Sequence, residues 1–284
     1  MHFAFVVPYA DAREFAELAA LGEACGWDGV FTWEAVWGVD AWVTLAAASM
    51  MTERIRLGTL LTPVSRVKPW DLASRVGTVD RLSRGRTILG AGLGALHGGW
   101  TAFEADEGRR TRAEKMDECL AIYDGLMRGQ PFEFAGRHYT ARPTDFVVPD
   151  PPVQQPRPPV WVVGAQVVGR ARQPSLERAA RWDGLLPQVV DSGRRGRVAT
   201  PDQLAELVSV VREVREAAGS AWRGYDVILE ADTYDDEETT DPGDPAAWAA
   251  VGVTWWVESW WSLPRSSEGT HELRRRIEAG PPQS

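Results

Sequence analysis

Eight times along this chain a short apolar run of strand length is followed by a segment with helical spacing, and that alternation restricts the fold more than any other feature. The runs are Phe3 to Tyr9, Val30 to Trp33, Ile55 to Thr62, Thr87 to Gly92, Val160 to Ala165, Gly184 to Val190, Tyr225 to Ala231 and Val253 to Ser259. Behind the first, Asp11 can cap a helix carrying Phe15, Leu18, Ala19 and Gly22 on one face, and Asp40 opens the next, through Trp42, Leu45 and Met50. Further helical segments run from Pro69 to Leu82, Arg110 to Arg128, Pro174 to Arg181, Pro201 to Ala217, Pro245 to Ala250 and Ser267 to Ala279. Strands that alternate with helices pair in parallel through right-handed crossovers. Eight of them predict an α/β fold, the (β/α)8 TIM barrel. An open doubly wound sheet would need a glycine-rich turn after its first strand, and Tyr9-Ala10-Asp11-Ala12 has no glycine.

The rhythm breaks once, between Gln130 and Pro159, where a short β-like piece (Phe132 to Tyr139) is followed by a proline-rich crossing in which Pro149, Pro151, Pro152, Pro156, Pro158 and Pro159 exclude helix. Because the alternation resumes directly, this is expected to be an insertion between the fourth helix and the fifth strand, leaving 1–284 as one barrel domain.

Charge and composition narrow the function. The 31 Lys and Arg are scattered and outnumbered by 40 Asp and Glu, giving a net charge of −9, so a nucleic-acid partner is not expected. No run of about 18 apolar residues offers a membrane span, and the start lacks the charged leader of a signal peptide. A soluble, cytoplasmic protein is expected. Cys25 and Cys119 stand far apart, with no metal or redox spacing, and read as small buried hydrophobes. Fourteen Trp against five Tyr suit either flat-ligand surfaces or core packing.

In a barrel of this kind the chemistry sits at the carboxyl ends of the strands. Four His without ligand spacing argue against a metal centre, and no nucleophile elbow is present. What those ends offer is glycine and aromatic surface. Gly90-Ala91-Gly92-Leu93-Gly94 would let a ligand lie close to main chain, or a helix pack close to the strand. Gly164 to Gly169, with Arg170 and Arg172 beyond, could hold a phosphate or be an ordinary loop with solvated arginines. A planar ligand with a phosphate tail suits such a surface.

The words Leu57-Gly58-Thr59-Leu60-Leu61-Thr62-Pro63, Lys68-Pro69-Trp70-Asp71-Leu72-Ala73, Asp80-Arg81-Leu82-Ser83-Arg84-Gly85-Arg86 and Leu89-Gly90-Ala91-Gly92-Leu93-Gly94 resemble the bacterial luciferase-like flavin-dependent oxidoreductases. Arg112 to Glu118, Phe134 to Tyr139 and Ala179 to Gly184 continue the likeness in order. The resemblance implies FMN or an 8-hydroxy-5-deazaflavin coenzyme at the carboxyl face. It implies a bulge ending the third strand, with a non-prolyl cis peptide at Thr59-Leu60 pressing on the back of the ring. It places Gly92 and Gly94 along the ring and ribityl chain, and the phosphate near Gly164, Ala165, Gln166 and Arg170. Members are often homodimers. Where many deazaflavin enzymes carry Asp-His after the second strand, this chain has Trp33-Glu34, and Ala95 replaces the Glu of the sugar-phosphate dehydrogenases. That substrate is therefore not carried over.

Among single residues, Glu34 beside Trp33 and Trp37 is a candidate acid or base, with a capping or ion-paired carboxylate as its plain alternative. His97 is a candidate donor to a substrate oxygen, or an exposed loop residue. Trp33, Trp37 and Glu258 are expected to wall a substrate pocket, although Glu230 and Glu258 could equally pair structurally. Alternation sends Trp255 and Trp256 to opposite sides of their strand. The acidic run from Asp232 to Glu238 reads as a solvated loop or lid. The favoured function is a monooxygenase using reduced FMN and oxygen on a small organic substrate, with a separate flavin reductase as supplier. A deazaflavin-dependent hydride transferase of the same fold is the alternative, a flavin-binding scaffold without turnover is a reading from another class, and a glycosidase using Glu230 and Glu258 is a further one.

Overall fold

The computed structural model describes residues 1–96, 99–190, 200–233 and 243–282. Eight parallel strands close into a barrel: β1 (His2–Val6), β2 (Gly29–Thr32), β3 (Arg56–Pro63), β4 (Thr87–Gly92), β7 (Val160–Val167), β8 (Gly184–Val190), β9 (Asp226–Ala231) and β10 (Trp255–Ser259). Around the ring the order is β1-β10-β9-β8-β7-β4-β3-β2, each barrel strand beside its predecessor and β10 closing on β1. The remaining two, β5 (Phe134–Ala135) and β6 (Thr140–Ala141), form an antiparallel hairpin in the expected insertion. The first strand stops at Val6, short of the expected Tyr9, and Pro8 beyond it has no N–H to donate to a ladder.

The helices are α1 (Ala12–Ala24), α2 (Ala41–Met51), α3 (Pro69–Leu82), α4 (Arg109–Arg128), α5 (Pro174–Ala179), α6 (Pro201–Ala217), α7 (Pro245–Ala250) and α8 (Ser267–Glu278). Their starts are chemically marked. Asp11 accepts from the amides of Arg13 and Glu14, Asp40 from those of Trp42 and Val43, and Thr200 forms a capping box with Gln203.

The strand period divides the core in two. Outward-facing Phe5, Val30, Leu57, Leu89, Val162, Leu185, Leu229 and Trp256 pack under the helices. Inward-facing Ala4, Val6, Phe31, Leu60, Ile88, Trp161, Leu186, Ile228, Trp255 and Val257 fill the barrel. Trp255 and Trp256 thus fall on opposite sides, as alternation requires. Three large rings, Phe31, Trp161 and Trp255, pack tilted or edge-on against one another with centroids 5.1–6.3 Å apart. Glycines on neighbouring strands make room for them. A Cβ on Gly29 would lie 2.9 Å from Trp255 Cζ3, one on Gly58 2.7 Å from Phe31 Cε1, and one on Gly184 2.4 Å from Trp161 Cδ1. Part of the tryptophan excess is therefore core packing. No helix among the described residues is long and apolar enough to cross a membrane.

Candidate active site

At the carboxyl mouth, β3 departs from regular pairing. Thr59 lies opposite Leu89 and Thr62 opposite Ala91, so three steps on β3 match two on β4. The extra residue makes a bulge. The cis peptide is Leu60–Leu61, one residue later than the expected Thr59–Leu60, because Thr59 is still in register and the ladder breaks only after it. Thr59 Oγ1 donates to Gly90 O (3.2 Å) and Thr62 Oγ1 to Thr59 Oγ1 (3.1 Å). The glycines of β4 answer this shape. A Cβ on Gly90 would lie 2.1 Å from Thr59 O, and one on Gly92 2.7 Å from Leu61 Cδ2. Gly94 takes a φ of +76°, and its Cβ would meet Pro63 at 2.9 Å. Behind them, the Arg112 guanidinium donates to Gly94 O (2.6 Å), and Ser65 Oγ to Leu93 O (3.1 Å). Thr59, Gly92 and Gly94 thus shape and pin the bulge, while Leu60 faces the lumen.

The rim beside the bulge is aromatic. Trp33 Nε1 donates to Pro8 O (2.7 Å), and its ring stands edge-on to Trp261 (6.3 Å), whose Nε1 donates to Glu230 Oε1 (2.7 Å). Trp37 is 85% exposed and meets Phe103 edge-on. A cavity of about 150 Å³ lies next to Trp33 and is walled in part by Trp37, Tyr9 and Thr44. A larger one, about 470 Å³, opens at the amino ends of the strands among His2, Arg56, Asp226 and Trp255. That end of such a barrel carries stability rather than chemistry.

The two candidate carboxylates sit behind the strands. Glu34 donates its backbone N–H to Leu61 O (3.3 Å), and its Oε1 is 3.7 Å from Arg75 Nη1 on α3. Its Oε2 is buried without a hydrogen-bond partner among the described residues. Burial raises its pKa, and the nearby Thr62 hydroxyl and the Arg75 cation only partly offset this. Glu258 is not a pocket wall. It shares the outward face of the barrel with Phe5, its partner in register, and is 1% exposed. Trp256 Nε1 donates to its Oε1 (2.8 Å), while Trp260 Nε1 (3.2 Å), Thr233 N (3.1 Å) and Thr233 Oγ1 (3.2 Å) converge on Oε2. Desolvation raises its pKa as well. His97 lies outside the described residues, as does the acidic run from position 234 onward.

The loop after β7 differs from the expected phosphate cradle. Gly164 faces outward, where a Cβ would lie 2.2 Å from Leu185 Cδ1 and 3.0 Å from Leu176 Cδ2, so close packing requires it. Ala165 N donates to Ser175 Oγ (3.1 Å), and Gln166 is paired with Val189 in the ladder. Gln173 accepts from Val167 N (2.9 Å) and donates to Val167 O (2.9 Å) and Arg170 O (2.7 Å). Arg170 N is itself bonded to Val167 O. The amides of Ala165, Val167 and Arg170 are thus taken internally, leaving the exposed Arg170 side chain as the charge available to a phosphate. The ring end of a flavin-type coenzyme fits this mouth, with its bulge, close-lying glycines and aromatic rim. The amides of Ala165, Val167 and Arg170 are not free to cradle its tail. Gln173 and Thr44 are not among the residues singled out from the sequence, and Arg112 stands there only within a stretch of family likeness. Only Gln173, just ahead of Pro174, carried a visible helix-start signal.

Comparison with known proteins agrees with this geometry. The family model described as luciferase-like monooxygenase matches residues 2–229. An oxidoreductase of Mycobacterium tuberculosis named as coenzyme F420-dependent is 37% identical over 129 residues, 45% of this chain and 36% of the relative's length. Among solved structures, the coenzyme F420-dependent tetrahydromethanopterin reductase from Methanopyrus kandleri superposes with a TM-score of 0.70 at 17% identity, covering 96% of each chain. The oxygenating constituent of 3,6-diketocamphane monooxygenase from Pseudomonas putida, solved with FMN, gives 0.62 at 19% identity, over 82% of this chain and 67% of that one. At these identities the two structures speak for the fold alone.

Proposed function

The chain belongs to the luciferase-like monooxygenase family of oxidoreductases, and from that premise we propose that it is a deazaflavin-dependent oxidoreductase acting on a small organic substrate at the carboxyl mouth of its barrel. The observation that carries the coenzyme site is the bulge at Leu60–Leu61 set against Gly90 and Gly92. It offers an apolar platform that packs against β4 where Gly90 and Gly92 carry no side chain. The preference for the deazaflavin over FMN rests on the Mycobacterium tuberculosis relative, whose identity is well above that of the solved structures. It reverses the order that the sequence alone suggested.

Such a coenzyme supplies, when bound, a ring carbon that gives or takes a hydride. The chain's residues do the rest. Leu60 and Leu61 would hold the ring from behind, and Gly92 and Gly94 let Leu61 and Pro63 close in against β4 to fix that platform. Trp33 and Trp261 at the rim would help keep water from the ring's other face. Glu34, desolvated at Oε2, can hold a proton under the platform. Arg170 offers charge to the tail.

Parallel tryptophan-fluorescence titrations with the deazaflavin coenzyme and FMN test this. Saturable quenching by the deazaflavin at lower concentration than FMN supports hydride transfer. Preference for FMN supports the second reading, a monooxygenase fed by a separate reductase, which the fold likeness to an FMN-bound monooxygenase favours. Quenching by neither overturns both.

A further inference from the structure

We propose that the cavity beside Trp33 is a binding site for a single-ring aromatic carboxylate, with Arg265 recognising the carboxylate and Thr44 the far side of the ring. As the substrate site this rests on the function proposed above; as a binding site it stands independently. Three observations carry it.

The first is size and lining. The cavity measures about 150 Å³ and is walled by Phe15, Trp33, Trp37 and Val39. The volume matches that of one benzene ring, in a slot of mixed polarity that opens to solvent at Trp37 and Val39, 85% and 44% exposed. It is too small for a three-ring coenzyme, which needs roughly 300 Å³ or more. Trp33 also stands at the coenzyme mouth through its contact with Trp261, so a ligand here would reach that mouth at its edge.

The second is an unmet hydrogen bond. Thr44 lines the cavity, is 2% exposed, and its Oγ1 has no hydrogen-bond partner among the described residues. A helical threonine ordinarily returns its hydroxyl to the carbonyl four residues back. This one does not, and a buried hydroxyl left alone is costly. A polar ring substituent would complete it.

The third is charge. Arg265 lines the same cavity, lies over the Tyr9 ring at 4.7 Å, and has no ion-pair partner among the described residues. Pro8, Tyr9, Ala10 and Arg265 also line a neighbouring cavity of about 180 Å³, so Arg265 stands between the two. A planar guanidinium at the end of an aromatic slot matches a carboxylate by two parallel hydrogen bonds.

Isothermal titration calorimetry of the coenzyme-free protein tests the inference, with benzoate, 4-hydroxybenzoate and benzyl alcohol as probes. Benzoate should bind saturably. Arg265→Gln should weaken benzoate by about tenfold or more and leave benzyl alcohol within about twofold. Thr44→Val should remove any advantage of 4-hydroxybenzoate over benzoate. Val39→Trp, at a position already 44% exposed, should abolish binding of all three while coenzyme quenching persists. Absence of saturable benzoate heat overturns the inference, as does benzoate binding that Val39→Trp leaves intact. Coenzyme binding is read in separate titrations. Benzoate binding without it would sink the proposed function alone, and coenzyme binding without benzoate would sink only this site.

Discussion

Gly90 and Thr59 are locked together across the β3–β4 ladder: the Thr59 hydroxyl donates to Gly90 O, and the Thr59 carbonyl occupies the space a Cβ on Gly90 would need, 2.1 Å away. The bulge and the glycine therefore specify each other. Gly90→Ala must push back backbone rather than a flexible side chain, and is expected to cost about 2–3 kcal/mol. Because the displaced backbone is the coenzyme platform, coenzyme affinity should fall by about tenfold or more in the protein that still folds. Thermal unfolding and fluorescence titration read the two effects. A variant with wild-type coenzyme affinity would remove the bulge from the site.

Glu34 gives a pH-dependent test with a definite sign. Burial holds its folded pKa above the ordinary 4.5. Between those two values the unfolded chain has lost a proton that the folded one keeps, so stability present at low pH is lost as pH rises through the folded value. Asp226 and Glu258, also raised by burial, act in the same direction. Glu34→Gln should remove only its own share. The difference in Tm, variant minus wild type, should increase from about pH 5 to about pH 8. A flat difference would mean that Glu34 is not desolvated. If Glu34 also holds the proton used in turnover, the variant should lose kcat with its coenzyme affinity intact.

Arg86 is the most fully bonded cation described in the molecule, and it has nothing to do with the mouth. Its guanidinium donates to Ser83 O, Thr52 Oγ1, Ile55 O, Ser49 O and Thr52 O at 2.7–3.1 Å. It thereby satisfies carbonyls at the end of α2 and stitches them to the start of β4. Lysine offers a point charge where a fork is required. Arg86→Lys is expected to cost about 3 kcal/mol in urea unfolding, with coenzyme affinity unchanged in the folded fraction. A loss below about 0.5 kcal/mol would show the network to be dispensable.

The barrel was legible because its signal is periodic. Gly184 to Val190, Thr87 to Gly92 and the helices opened by Asp11 and Asp40 lie where apolar spacing and capping chemistry placed them. The site was legible only in part. The bulge was expected from family resemblance, yet its cis peptide lies one residue further on, because register is set by pairing with β4 and cannot be read from β3 alone. Glu258 ends a strand, which suggested the mouth. The same alternation that separates Trp255 from Trp256 turns Glu258 outward, so this signal was present and unused. Gln173 and Arg112 act on main-chain carbonyls and amides, and nothing in spacing reveals such partners.

The last test concerns the packing that fills the barrel. Gly29 lies 2.9 Å, in Cβ terms, from Cζ3 of the Trp255 indole, an atom that phenylalanine lacks. Gly29→Ala should overpack the lumen and cost about 1–3 kcal/mol. Trp255→Phe alone should cost a comparable amount through the space it leaves. If Gly29 exists to admit the indole, the double variant should be less damaged than the sum of the two, with a favourable coupling of about 1 kcal/mol. Strict additivity would mean that the alanine strains Ala4 and the β1–β2 ladder instead, whose Cβ would stand 3.1 Å away. The same cycle on an unpaired surface position should show no coupling, so urea unfolding of the four proteins decides whether strand glycine and lumen tryptophan are one unit.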